Sequence, residues 1–73
     1  MGSVIDKIVP IASTLDHPFT AREMAEKIYG DTNYHHVQNM HGKIRRLVKQ
    51  GQIIEVERVF VHSQWMVSYK VIQ

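Results

Sequence analysis

At 73 residues the chain makes one domain, spanning residues 1–73, near the lower size at which a single core suffices without staples. The absence of cysteine excludes disulfides and thiolate metal sites and fits a cytoplasmic or nucleoid-associated protein. A hydrophobic fraction of 44% argues for a folded domain, and no apolar run nears the ~20 residues needed to cross a bilayer, so no membrane partner is expected. The opening MGSVID is not a signal peptide, and Asp6 stands where a myristoylation site needs Ser or Thr. The net charge of +2 hides an asymmetry. Residues 1–31 hold three basic side chains against five acidic, residues 32–51 hold four basic against none, and residues 52–73 hold two of each. The positive excess sits on one segment, which suggests an electrostatic footprint.

Ser3 followed by Asp6 predicts a helix start. Val4, Ile5, Ile8, Val9, Ala12 and Leu15 form an apolar stripe, so a first helix is expected over 3–15. Pro10 lies inside it and costs ~3 kcal/mol unless the helix kinks, so a bend or break is expected there. Asp16-His17-Pro18 reads as a turn. Thr20 and Glu23 then make a capping box, and Phe19 with Met24 a hydrophobic staple. Gly30 ends the second helix, expected over 21–29. Asp31-Thr32-Asn33 is a short turn, with Thr32 or Asn33 capping a third helix.

Residues 34–50 predict that third helix. At ~100° per residue, Val37, Met40, Ile44, Leu47 and Val48 fall on one stripe. The opposite side carries His35, Gln38, Asn39, Gly42, Arg46 and Lys49, flanked by Lys43 and Arg45. Such a helix is built to pack on its own protein and to face a polyanion. Gly51 supplies the expected left-handed stop. After it the period changes to two, predicting an antiparallel hairpin with strands at 53–60 and 65–72. The connection Val61-His62-Ser63-Gln64 lacks the Asn-Gly or Asp-Gly signal of a tight turn. Trp65 and Tyr69 are expected in the core, covering the first helix.

This order and these residues resemble the winged helix-turn-helix family of DNA-binding domains. HPFTAREMAEKI is similar to the approach to that family's second helix, where a Thr cap precedes a short amphipathic helix. IRRLVKQGQI is similar to the end of the recognition helix, where two apolar residues three apart lead to a Gly and the first wing strand. The resemblance covers nearly the whole chain. It implies a small α+β domain of three helices followed by a β-hairpin wing, with the third helix in the major groove of double-stranded DNA. It implies a transcriptional regulator that needs no cofactor.

Carried over residue by residue, the resemblance puts His35, Gln38, Asn39 and Gly42 on the base-facing side. Asn and Gln can bond adenine bidentately, at ~1–3 kcal/mol of discrimination. Lys43, Arg45, Arg46 and Lys49 would contact phosphates, with Arg22 and Thr32 adding contacts from the second helix and turn. Asn33 and His36 complete the expected DNA-binding set. The wing departs from the family, because its tip is apolar. Val59, Phe60 and Val61 cannot all point inward on a period-two strand, so an exposed patch is expected there. Such a patch suits a homodimer, which the Pro10 helix could equally mediate, or a protein partner. The alternative function is therefore a winged-helix interaction module docking on transcription or replication machinery.

Other chemistries find little support. His36 and His41 are five apart, whereas a helical chelate wants a spacing of three or four, so no metal site is expected. The histidines are expected to gain charge near pH ~6 and strengthen DNA binding if they face the groove. No Cys nucleophile, Gly-rich phosphate loop or carboxylate pair beside a His is present, and the serines lack an activating partner, so no enzyme is expected.

Overall fold

The computed structural model describes residues 3–72. The expectations about the start of the chain touch Met1 and Gly2, which lie outside this range, as does Gln73. The elements are α1 (Val4–Ser13), β1 (Phe19–Thr20), α2 (Ala21–Tyr29), α3 (Tyr34–Lys49), β2 (Ile53–Val61) and β3 (Gln64–Val71). The fold is α+β, three helices with a three-stranded antiparallel sheet of order β1-β3-β2.

α1 is shorter than expected and runs helical through Pro10. The proline ring lies on the exposed side, and the carbonyl it leaves unbonded belongs to Asp6 in the exposed first turn. The Ser3 backbone N–H and hydroxyl both donate to the Asp6 carboxylate, each at 3.2 Å. α2 keeps closely to its signals. The Glu23 N–H donates to the Thr20 hydroxyl at 3.1 Å, and Gly30 closes the helix at φ +87°. The other half of the expected capping box is replaced, because the Glu23 carboxylate turns to His17. That ring lies between two acids, with Nε2 2.8 Å from Glu23 and Nδ1 3.2 Å from Asp16. Hydrogen bonding to Glu23 first, and to Asp16 second, raises the His17 pKa above its ordinary value.

The turn after α1 also contains a strand that the alternation of only two residues could not reveal. Phe19 pairs with Tyr69 and Thr20 with Ser68, which ties the entry of α2 to the central strand. Phe19 is buried with Met24, as a staple would have it, but its backbone belongs to the sheet. Its ring lies 5.9 Å from that of Tyr69. The core gathers Ile8 and Ala12 of α1, Met24 and Ala25 of α2, Met40, Ile44 and Leu47 of α3, and Ile53 of β2 around this aromatic pair. Val48, expected on the buried stripe of α3, sits at its edge and is exposed.

α3 ends one residue earlier than expected. Gly51 at φ +79° donates to the Val48 carbonyl, and Gln52 donates to that of Leu47, both at 3.0 Å. That double bond is a Schellman cap, and it sets the angle at which the chain enters β2. The hairpin is longer and tighter than expected, with Val61 paired to Gln64. His62 and Ser63 form a two-residue turn, both with positive φ (51° and 63°), the conformation of a type I′ turn. Neither residue is a glycine, which hid the turn from the sequence. Near its base the hairpin carries an irregularity between Glu55 and Glu57, which shifts the register beside Val56.

Candidate nucleic-acid interface

The start of α3 is fixed by a small polar and aromatic clasp. Asn33 caps the helix, its side-chain oxygen accepting from the His35 N–H at 3.0 Å. Asp31 accepts from the Asn33 N–H at 3.0 Å and lies 2.6 Å from His36 Nδ1. The His36 ring in turn stacks on Tyr29 of α2, with centroids 4.4 Å apart and planes 19° from parallel. Bonding to His36 and to the Asn33 N–H lowers the Asp31 pKa. His36 is thereby drawn back against α2. It was expected on the DNA-binding surface, but its ring is occupied in joining α2 to α3. Asn33 likewise spends its side-chain oxygen on the cap.

The apolar back of α3 enters the core, so its front is held outward. His35, Gln38, Asn39, Gly42, Arg45, Arg46 and Lys49 are exposed, while Lys43 is half-buried on the flank. Among the described residues, none of the four basic side chains pairs with a carboxylate. Gly42 is open as well: a Cβ built there meets nothing within 4 Å. A larger side chain would thus fit the folded chain, so the bare backbone is not a packing need. Arg46 lies toward α1, lining a shallow groove with Ile5, Asp6 and Val9.

Arg22, Thr32 and Gln38, which are far apart in sequence, meet in one cleft between the start of α2, α3 and the hairpin. Tyr34 and Trp65 line it too, as does His41. His41 is half-buried, and burial, with a smaller contribution from Arg45, lowers its pKa. It therefore keeps its neutral form to lower pH than an exposed imidazole would. His35 is exposed and meets Tyr34 edge-on, with centroids 5.9 Å apart.

Trp65 overturns its expected place in the core, being 60% exposed. It stands on the same sheet face as the buried Tyr69, four residues on, but past the core, on the wall of the open cleft. Its cross-strand partner is Phe60, with ring centroids 5.0 Å apart and planes at 71°. Val59, Phe60 and Met66 are exposed with it, and Val61 is half-buried. The hairpin's basic residue near the tip, Arg58, is clasped by Glu55 of its own strand through two hydrogen bonds, 3.0 and 3.1 Å.

Among the described residues, no three His, Asp or Glu side chains come together in a way that would hold a metal ion. No described helix is long and apolar enough to cross a membrane. The molecule is thus a small three-helix, three-strand α+β domain with a basic helix whose cations make no ion pair among the described residues, beside an aromatic hairpin. No family model, curated protein or solved structure matches the chain.

Proposed function

We propose that this chain is a winged helix-turn-helix domain that binds double-stranded DNA through α3 and acts as a transcriptional regulator. The order of elements supports it, with α2 and α3 as the helix pair and β2–β3 as the wing. The observation that carries the reading is the front of α3. Four basic side chains lie along one helix with no acid among them, beside outward amides at Gln38 and Asn39. In the major groove, Gln38 and Asn39 would read base edges, and Gly42 would let the duplex come close. Arg45, Arg46 and Lys49 would meet phosphates, supplying affinity and orientation.

The wing would add little charge, since Arg58 is already held by Glu55. The exposed apolar side chains of the hairpin favour a second reading, a surface for a protein partner or a second copy of the chain. Salt separates the two. DNA affinity should fall steeply with salt, at a slope of roughly −0.9 for each phosphate neutralised. Replacing Arg45 and Lys49 by Ala should flatten that slope by roughly two and weaken all sequences alike, whereas Asn39→Ala should change the preference between sequences. Affinity for DNA that is absent, or indifferent to salt, would reject the reading in favour of a protein partner.

A further inference from the structure

We infer that the cleft between α3 and the hairpin receives an unpaired nucleobase, so that the chain prefers DNA with one base out of the stack over a fully paired duplex. The inference rests on the DNA-binding reading and adds the kind of DNA. Tyr34 and Trp65, 71% and 60% exposed, present aromatic surface to an open cleft of about 390 Å³. Phe60 meets the Trp65 indole edge-on from the neighbouring strand and limits its freedom to swing away. The polar groups lining the cleft include the Arg22 guanidinium, the Gln38 and Gln64 amides, the His41 ring and the Thr20 and Thr32 hydroxyls. No carboxylate lines it.

A nucleobase suits the aromatic walls, the amides and the guanidinium together. Its π-face can stack on Trp65 or Tyr34, its donor and acceptor edge can meet the Gln38 amide, and the adjoining phosphate suits Arg22. An apolar peptide side chain would instead leave the guanidinium and the amide without partners. A base within a duplex offers only its edge, so an aromatic wall gains a face to stack on only when the base has left the helix. The cleft opens beside the front of α3, where the duplex would lie. The hairpin then acts through stacking, where a basic wing would act through charge.

The test compares a blunt duplex with the same duplex carrying a one-nucleotide bulge. Affinity is followed by anisotropy of a labelled strand, and the cleft is followed by the emission of Trp65, the chain's only tryptophan. The bulged duplex should bind about fivefold or more tightly, since stacking one base on an aromatic side chain is worth at least that, and should quench Trp65. Trp65→Ala should abolish the difference between the two duplexes, and Trp65→Phe should retain part of it. Trp65 is exposed, so neither change threatens the core. Equal affinity for the two duplexes overturns the inference and leaves the DNA-binding reading standing. Failure to bind either duplex overturns both.

Discussion

α3 and the β2–β3 hairpin both put side chains into solvent, but they do so for opposite physical reasons. The front of α3 is exposed because its back is anchored by Met40, Ile44 and Leu47. Its outward residues are cations and amides that lose little by being wet. The hairpin tip is exposed because the strands outrun the helices, and what it exposes is Phe60, Trp65, Val59 and Met66. The one surface suits a charged, hydrated ligand. The other gains only by being covered or by stacking. A helix can be polar on one side at no cost, whereas an apolar ribbon held clear of the core needs a reason outside the fold.

The sharpest way to break that comparison is through the back of α3. Ile44→Ala removes a fully buried side chain and should cost ~2–5 kcal/mol. Against a total of roughly 4–11 kcal/mol for a domain of this size, urea denaturation should show a protein close to unfolding. A loss under about 0.5 kcal/mol, the range of surface changes, would mean that α3 is not anchored as described. Gly42→Ala sharpens the same contrast from the front. With helical backbone and open space for a Cβ, it should stabilise the fold by ~1 kcal/mol in thermal melts. On the proposed reading it should also weaken DNA binding, because the added methyl would stand where the duplex comes closest. A variant that gains stability and keeps full affinity would remove Gly42 from the interface.

On the hairpin, Ser63→Gly relieves a non-glycine residue at φ 63°. The expected gain is at most ~1 kcal/mol, seen as a higher denaturation midpoint with DNA affinity unchanged. A loss of stability would argue against the type I′ turn. The smallest effect is expected from pH. His17 holds its proton more tightly in the fold, through Glu23 and Asp16. Its contribution is therefore complete below the unfolded value of 6.5 and is lost as pH rises through the higher folded value. His41 works the other way, its lowered pKa making the fold less stable as pH falls below 6.5. His17→Gln should thus lose less melting temperature than the parent as pH rises above 6.5. Parallel curves would show the contacts of His17 with Glu23 and Asp16 to be without effect.

How much of this was legible depended on whether the signal was local. The caps at Thr20 and Asn33, the stops at Gly30 and Gly51, and the stripe of Met40, Ile44 and Leu47 are encoded within a few residues of where they act. The front of α3 came with that stripe. β1 was not legible, because a two-residue strand exists only through its pairing with Tyr69 and Ser68. The turn at His62-Ser63 was missed because its conformation is the one glycine or asparagine usually announces. The tie of His36 to Asp31 and Tyr29 was not legible either, because helical spacing says nothing of residues on the preceding helix and turn. Trp65 was misplaced for a related reason: alternation gave the correct face, but not how far the hairpin extends past the core. The cleft of Arg22, Gln38 and Trp65 depends on three elements meeting, which no single stretch contains.

The central claim is that the front of α3 is the surface that meets DNA. Titrating a duplex into the labelled protein, while following backbone amide signals, tests it most directly. The account predicts shifts concentrated at His35, Gln38, Asn39, Gly42, Arg45 and Lys49, with the buried Ile8 and Ala25 unmoved. Amide signals of residues 34–49 that stay in place at saturating duplex would contradict it.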